Sequence, residues 1–162
     1  MATTVPQANI VSDVNVKEKL SKSTLEDKIV THRIKDEQIL TSATTIDAEL
    51  VYSGTTALSS GTATLDLKAL TDGEGNTIAT DGKKVRVFKA KATSTNANAL
   101  TLAAGASNGY LLGGAAWKFA LSASDSIMTI HNNNAPAVGD STKNIDLTGT
   151  GSQSVDIIIV FG

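Results

Sequence analysis

The distribution of glycine and aromatic residues divides this chain into two parts at about residue 45. All 13 glycines and all six aromatic residues follow residue 45, whereas residues 1–45 carry six Lys or Arg and six Asp or Glu. The apolar side chains of the first part are spread among these charges, so they cannot form a core by themselves. We therefore predict a polar N-terminal arm over residues 1–45 that contacts another surface, and a single β domain over residues 46–162.

The second part has the pattern of an all-β domain. Short apolar segments alternate with clusters of Gly, Asn, Asp and Ser, which is typical of a sandwich or barrel. Alternation of period two, clearest in Thr62–Leu67, places one face on a core and the other in water. We predict an antiparallel sandwich or a jelly-roll-like barrel with an N-terminal arm. The predicted strands are Ile46–Tyr52, Thr62–Leu67, Lys84–Lys91, Ala99–Ala103, Ala116–Ser122, Ser126–Ile130, Lys143–Thr148 and Val155–Phe161.

The last predicted strand, Val155–Phe161, is apolar on both faces for most of its length. A strand of this kind is typically buried on both sides, and an uncovered edge of the same composition would aggregate. We therefore expect it to lie centrally in its sheet or to be covered on both faces.

The sequence of the arm allows three interpretations. Ser23 and Glu26 fit a capping box, which favours a short helix over Ser23–Arg33. An extended tail is the alternative, and Val14–Val16 also suits a strand that augments a neighbouring sheet. In each case its apolar residues are the predicted partner contacts, and removing residues 1–40 is expected to weaken assembly while leaving a folded body. The predicted contact residues are Val14, Val16, Leu20, Leu25 and Ile29.

Composition bears on several functional classes. The net charge is −2 and the pI is about 5.6, so charge gives no basis for binding nucleic acid or an anionic membrane. The absence of cysteine excludes disulfides, thiolate metal sites and a catalytic cysteine. No stretch approaches the roughly 18 apolar residues of a membrane span, and no export signal is recognised. We predict a soluble protein with no cofactor and no metal.

One motif resembles a catalytic signature. Gly105–Gly109 matches the G-x-S-x-G pattern around a nucleophilic serine, and Asp125 and His131 follow in the order found in serine hydrolases. The motif requires a strand, a sharp turn and then a helix, whereas Gly113 and Gly114 and a β-like segment follow here. We interpret it as a glycine-rich loop, and the chain as a non-enzyme. Activity lost in a Ser107→Ala variant would contradict that interpretation.

Other candidate sites have weaker patterns. His32 and His131 lack the spacing of metal ligands. Asp72–Asn76 lacks the full calcium-loop framework, so a tight turn is the simpler interpretation of that segment. The basic segment Lys83–Lys91 divides its charges between two strand faces, which does not suit nucleic acid. Trp117 and Phe119 share a strand face and suit a core, with sugar binding as the alternative.

Residues 46–162 resemble small structural proteins of tailed-bacteriophage virions. The resemblance lies in Thr62–Ile78, in Lys84–Lys91 followed by Ala99–Leu102, and in Lys143–Gly151 before the apolar last strand. It implies a β-rich virion component, foremost a capsid decoration or cement protein. It identifies no functional residues.

The resemblance also sets the expected partners. A decoration protein would bind the major capsid protein or another virion protein, form a homo-oligomer with a trimer favoured, and reside in the virion after assembly in the host cytoplasm. The alternative is a tail- or fibre-associated component or a receptor- or glycan-binding module. Its loops Ala103–Gly114 and Asn132–Asp140 would then contact a cell-surface sugar.

Overall fold

The computed structural model describes residues 7–22, 25–44, 47–130 and 134–162. Over these ranges the chain forms ten strands and two short 3₁₀ turns, Leu67–Ala69 and Leu112–Gly114, and neither turn is long enough to cross a membrane. The strands are β1 (Ala8–Lys22), β2 (Leu25–Leu40), β3 (Leu50–Ala57), β4 (Thr62–Asp66), β5 (Val85–Ala92), β6 (Leu100–Ala104), β7 (Lys118–Leu121), β8 (Ser126–Ile130), β9 (Asn144–Thr148) and β10 (Ser154–Phe161).

The strands β3 to β10 form two antiparallel sheets that pack face to face. The first sheet has the order β3-β10-β5-β8, and the second has the order β4-β9-β6-β7. Pairing proceeds outward from the middle: β6 with β7, β5 with β8, β4 with β9 and β3 with β10. The chain is thus one long hairpin rolled into two sheets, which is the jelly-roll arrangement. The predicted all-β sandwich is confirmed.

Each of the eight predicted strands overlaps one observed strand, and Ser126–Ile130 coincides with β8. The largest displacement is at β3, which begins at Leu50; Ile46, where its predicted strand begins, lies outside the described residues. Just before β3, the Glu49 N–H donates a hydrogen bond to the carbonyl of Phe161 at the end of β10.

The last strand, β10, lies between β3 and β5, as predicted. Alternate side chains on its inner face, including Ile157, Ile159 and Phe161, are at most 1% exposed in the core between the sheets. On its outer face Val160 is covered, but Ile158 is 44% exposed. Covering of the second face is therefore incomplete at Ile158.

Tyr110 fastens one end of the sandwich. Its buried hydroxyl accepts a hydrogen bond from the Val85 N–H at 3.0 Å and donates one to the Pro136 carbonyl at 2.7 Å. These contacts join the β6–β7 connection to the start of β5 and to the β8–β9 connection. Burial raises the pKa of Tyr110 to about 12.

The raised pKa of Tyr110 predicts a loss of stability at alkaline pH. Between an unfolded-state pKa near 10 and the folded-state pKa of about 12, the unfolded chain releases the phenolic proton and the folded chain retains it. Stabilisation present below pH 10 is therefore lost towards pH 12, by up to about 2–3 kcal/mol. Urea unfolding at a series of pH values measures this loss in the wild type and in Tyr110→Phe.

The Tyr110→Phe variant is the control for other alkaline titrations. At pH 8 we expect it to be about 1–3 kcal/mol less stable than the wild type, because the buried Val85 N–H loses its acceptor. The difference should narrow above pH 10. Stability curves that stay parallel up to pH 12 would contradict the assignment to Tyr110.

Candidate assembly surface

The N-terminal arm is a two-stranded antiparallel ribbon formed by β1 and β2. The strands pair from Ala8 with Leu40 to Lys22 with Leu25, with one irregularity near the far end. Beyond Ser12 the ribbon extends for ten residues, or about 33 Å at about 3.3 Å per residue. Neither ribbon strand makes an extensive contact with any strand of the sandwich. The ribbon therefore stands away from the domain except at its base.

The predicted helix over Ser23–Arg33 is wrong, because β2 runs as a strand from Leu25 onward; Ser23, its predicted cap, lies outside the described residues. Three apolar residues suggested helical spacing, but the segment is rich in β-branched residues, which favour extended backbone. The strand suggested at Val14–Val16 is present within β1. Its partner is β2 of the same chain.

The register gives the ribbon one apolar face. Val14 lies directly opposite Ile34, and Val16 follows Val14 on the same face. These three side chains, here called the apolar stripe, are 58% (Val14), 77% (Ile34) and 53% (Val16) exposed. Among the side chains that the structure describes, two further large apolar ones are exposed on the opposite face, near the ribbon base. They are Val11 and Ile39.

The face opposite the stripe carries two ion pairs among the described residues. The Arg33 guanidinium donates from Nε to Asp13 Oδ1 at 3.0 Å and from a terminal nitrogen to Oδ2 at 2.7 Å. This hydrogen bonding to Asp13 raises the pKa of Arg33. Lys35 and Glu37 form a second pair at 3.1 Å. Beyond its base the ribbon thus carries the stripe on one face and the Asp13–Arg33 and Lys35–Glu37 ion pairs on the other.

The ribbon base packs on the first sheet through the face that carries the stripe. Ile10 and Leu40 are 9% and 3% exposed, and they cluster with Val87, Val160 and Ala48 on the outer side of the sheet. The apolar face of the ribbon therefore begins in contact with the domain and continues past it as the stripe.

The predicted contact residues are only partly placed on this surface. Val14 and Val16 lie on the stripe, whereas for Leu20, Leu25 and Ile29 the structure describes the backbone alone. The predicted set omitted Ile34, the most exposed member of the stripe. Ile34 lies opposite Val14 only because of the ribbon register. The sequence signal that could have identified Ile34 is the presence of two segments rich in β-branched residues that can pair with each other.

The outer side of the first sheet, here called the outer sheet face, is only partly covered. Next to the covered row of Val87 and Val160, β10, β5 and β8 place Ile158, Lys89 and Met128 side by side. A groove of about 370 Å³ separates this row from the ribbon base. The row is the second candidate contact region.

The basic segment before and within β5 does not form a common basic face. Lys89 and Lys91 are exposed on the outer sheet face, whereas Lys83 pairs with Glu49. Arg86, one of the charges that the alternation assigned to a strand face, is instead 6% exposed and binds Asp47. A shift of register beside Arg86 departs from the simple alternation that the prediction assumed.

The G-x-S-x-G segment is a loop that packs against β9. Gly105 donates from its N–H to the Asn144 carbonyl, and Asn108, with a φ of 51°, accepts from the Asn144 N–H. Asp125 binds the Ser122 N–H in the turn between β7 and β8. His131 lies outside the described residues. No helix follows Ser107 directly, so the loop lacks the strand–turn–helix geometry of the catalytic motif.

In the acidic segment Asp72–Asn76, a carboxylate is hydrogen-bonded to backbone N–H groups of the same segment. The Asp72 carboxylate accepts hydrogen bonds from the N–H groups of Glu74 and Asn76 at 2.9 and 2.8 Å. Within the described residues no group of three or more His, Asp or Glu side chains is placed to hold a metal ion. The turn interpretation accounts for this segment.

The core interpretation of the aromatic pair holds for Trp117, whereas Phe119 is half-buried and contacts Trp117. Trp117 packs on the core, with its ring 5.9 Å from Phe88 and 5.4 Å from Phe119, and its Nε1–H donates to the Tyr110 carbonyl. The two loops suggested for sugar binding meet through the bond between Tyr110 and Pro136. His131, Asn132 and Asn133, at the start of the second loop, lie outside the described residues.

Comparison of the chain with protein-family models, with curated proteins and with solved structures finds no match. The surface must therefore be interpreted from its own geometry. Its two elements are a ribbon with an uncovered apolar stripe and a sheet face with an uncovered row.

Proposed function

We propose that this protein is a non-enzymatic structural subunit of a virus particle, foremost a decoration protein that stabilises the capsid. The observation that carries the proposal is the apolar stripe of Val14, Val16 and Ile34, which the chain's own sandwich leaves uncovered. A two-stranded ribbon is at best marginally stable in water by itself. Covering the stripe would stabilise the ribbon and join the subunit to its neighbour.

The fold supports the same proposal. Jelly rolls recur in viral capsid and lectin domains, although a fold alone does not define a function. The resemblance of residues 46–162 to tailed-phage virion proteins directs the choice towards the virion. The proposed partners are the major capsid protein or another virion protein, together with further copies of this chain in a homo-oligomer, for which a trimer is favoured.

A decoration protein of this kind acts through buried area. Stable interfaces bury about 1,200–2,000 Å², and anything that binds the native capsid lattice raises its apparent stability. Repeated copies on a lattice add avidity without any new contact. The proposal therefore requires a contact surface and no catalytic group.

Locating the protein on a particle tests this proposal. We expect gold-labelled antibodies against the recombinant protein to mark capsid surfaces in electron micrographs of purified particles that contain it. Antibodies absorbed with the recombinant protein are the control. If particles that contain the protein bind no label, whether intact or disrupted, a structural role would be contradicted.

A tail-associated, receptor-binding module is the second candidate. The observation that favours it is the meeting of the two loops Ala103–Gly114 and Asn132–Asp140 through Tyr110 and Pro136 at one end of the sandwich. Label confined to the tail would reject decoration and support this alternative.

A further inference from the structure

We infer that the apolar stripe of one copy docks on the outer sheet face of a second copy, over the row of Ile158, Lys89 and Met128. The inference rests on the proposed role of the ribbon in assembly, and it names the surface that receives the ribbon. Three features of the described residues support it: a matching contact within one chain, an uncovered row beside that contact, and complementary charge.

The first argument is that the same two faces already meet within one copy. Ile10 and Leu40, on the stripe face of the ribbon, pack against Val87 and Val160 of the outer sheet face. These side chains are β-branched or aliphatic on both surfaces and stand on extended backbone. Contact between a ribbon and this sheet face is therefore compatible with the packing of both.

The second argument is that both surfaces remain open in one copy. Ile158 is 44% exposed and Met128 is half-buried, and the apolar stem of Lys89 lies between them along the row. The stripe of the same chain does not cover this row, because neither ribbon strand makes an extensive contact with the sandwich strands. A second copy supplies the missing partner to each surface.

The third argument is charge. Lys89 and Lys91 are exposed on the outer sheet face, and no described carboxylate lies within ion-pair distance of either. On the ribbon, exposed Asp36 stands on the stripe face, in the row next to Val14 and Ile34. Docking the stripe on the row would bring this carboxylate towards the two ammonium groups.

The contact is heterologous, because a ribbon on one copy meets a sheet on another. One such contact is expected to hold two copies weakly, and repeating it within a closed assembly adds avidity. Heterologous contacts close into rings when the rotation allows it, and every member then donates one ribbon and receives one. The favoured trimer suits this scheme, as does a reciprocal dimer.

Two purified variants test the inference. The ribbon variant carries Val14→Lys and Ile34→Lys, which would place cations opposite Lys89 in the docked pair. The sheet variant carries Ile158→Lys, which would place a cation opposite the apolar stripe. We expect sedimentation velocity to show an oligomer for the wild type and a monomer for each variant, with self-association weakened by about 100-fold or more. Circular dichroism and thermal unfolding establish that both variants are folded.

Mixing the two variants is the decisive measurement. The sheet variant retains an intact ribbon and the ribbon variant retains an intact sheet face, so the mixture has one wild-type contact. At about 0.1 mM of each variant it should form a 1:1 complex, weaker than the wild-type oligomer, and nothing larger. Asn15→Lys, on the opposite ribbon face, and Ala120→Lys, on the outer side of the second sheet, are the matched controls and should assemble as the wild type does.

Three outcomes overturn the inference. A sheet variant that assembles normally while the ribbon variant does not would indicate ribbon-to-ribbon pairing. A mixture that stays monomeric would show that the two surfaces do not meet each other. A wild-type protein that is monomeric at about 0.1 mM would mean that a different protein covers the stripe. That last result leaves capsid labelling unaffected, so failure here is distinguishable from failure of the proposed function.

Discussion

Replacing residues Asp13–Lys35 by Asn-Gly is expected to leave a folded, monomeric jelly roll that no longer assembles. Ser12 and Asp36 lie directly opposite each other, and Asn-Gly is the preferred two-residue connection between paired strands. The shortened ribbon keeps Ile10 and Leu40 on the sheet and loses the stripe. We expect the free energy of unfolding to change by less than about 1 kcal/mol, measured in urea, while sedimentation shows only monomer.

Deleting residues 1–40 altogether is the matched comparison, and its expected result differs. This deletion also removes Ile10 and Leu40, which exposes Val87 and Val160 to water. The loss of this cover should cost about 2–4 kcal/mol. The prediction that such a deletion leaves the body intact therefore needs refinement, because the base of the arm contributes to the domain. Equal stability of the two truncated proteins would show that the base contributes nothing.

The sandwich was predictable because its strands have local signals. In a segment such as Thr62–Leu67, alternation of period two and the flanking turn residues lie within a few positions of each other. The strand order was not predictable in this way. Pairing of β3 with β10 joins the two ends of the domain, and nothing local in either strand specifies that register.

The sequence did not predict the ribbon, because its alternation is interrupted and no residue pattern marks a hairpin between the two strands. Glu18 and Lys28 occupy positions on the apolar face of the register, so the period-two pattern is weak along each strand separately. The residues between the strands, Ser23 and Thr24, are not the Gly or Asn that mark a tight hairpin. Membership of Ile34 in the stripe follows from its pairing with Val14. This pairing could not be predicted, since neither segment alone identifies its partner.

Ile159→Ala is expected to destabilise the domain by about 2–5 kcal/mol. Ile159 is fully buried on the inner face of β10, between the two sheets, so truncation to Ala leaves a cavity in the main core. Urea unfolding followed by circular dichroism measures the change. If the variant unfolds on expression, Ile159→Val, with an expected cost of about 0.5–1.5 kcal/mol, gives the same test on a smaller scale.

Ile158→Ala is the matched control, because it removes the same atoms from the neighbouring residue of the same strand. Ile158 faces outward and is 44% exposed, so its truncation should cost less than about 1 kcal/mol of unfolding free energy. Assembly should respond in the opposite order: Ile158→Ala weakens it, and Ile159→Val leaves it unchanged in protein that is folded. Equal loss of stability in the two Ala variants would contradict this separation. The alternation along β10 thus assigns one isoleucine to the fold and its neighbour to the contact between copies.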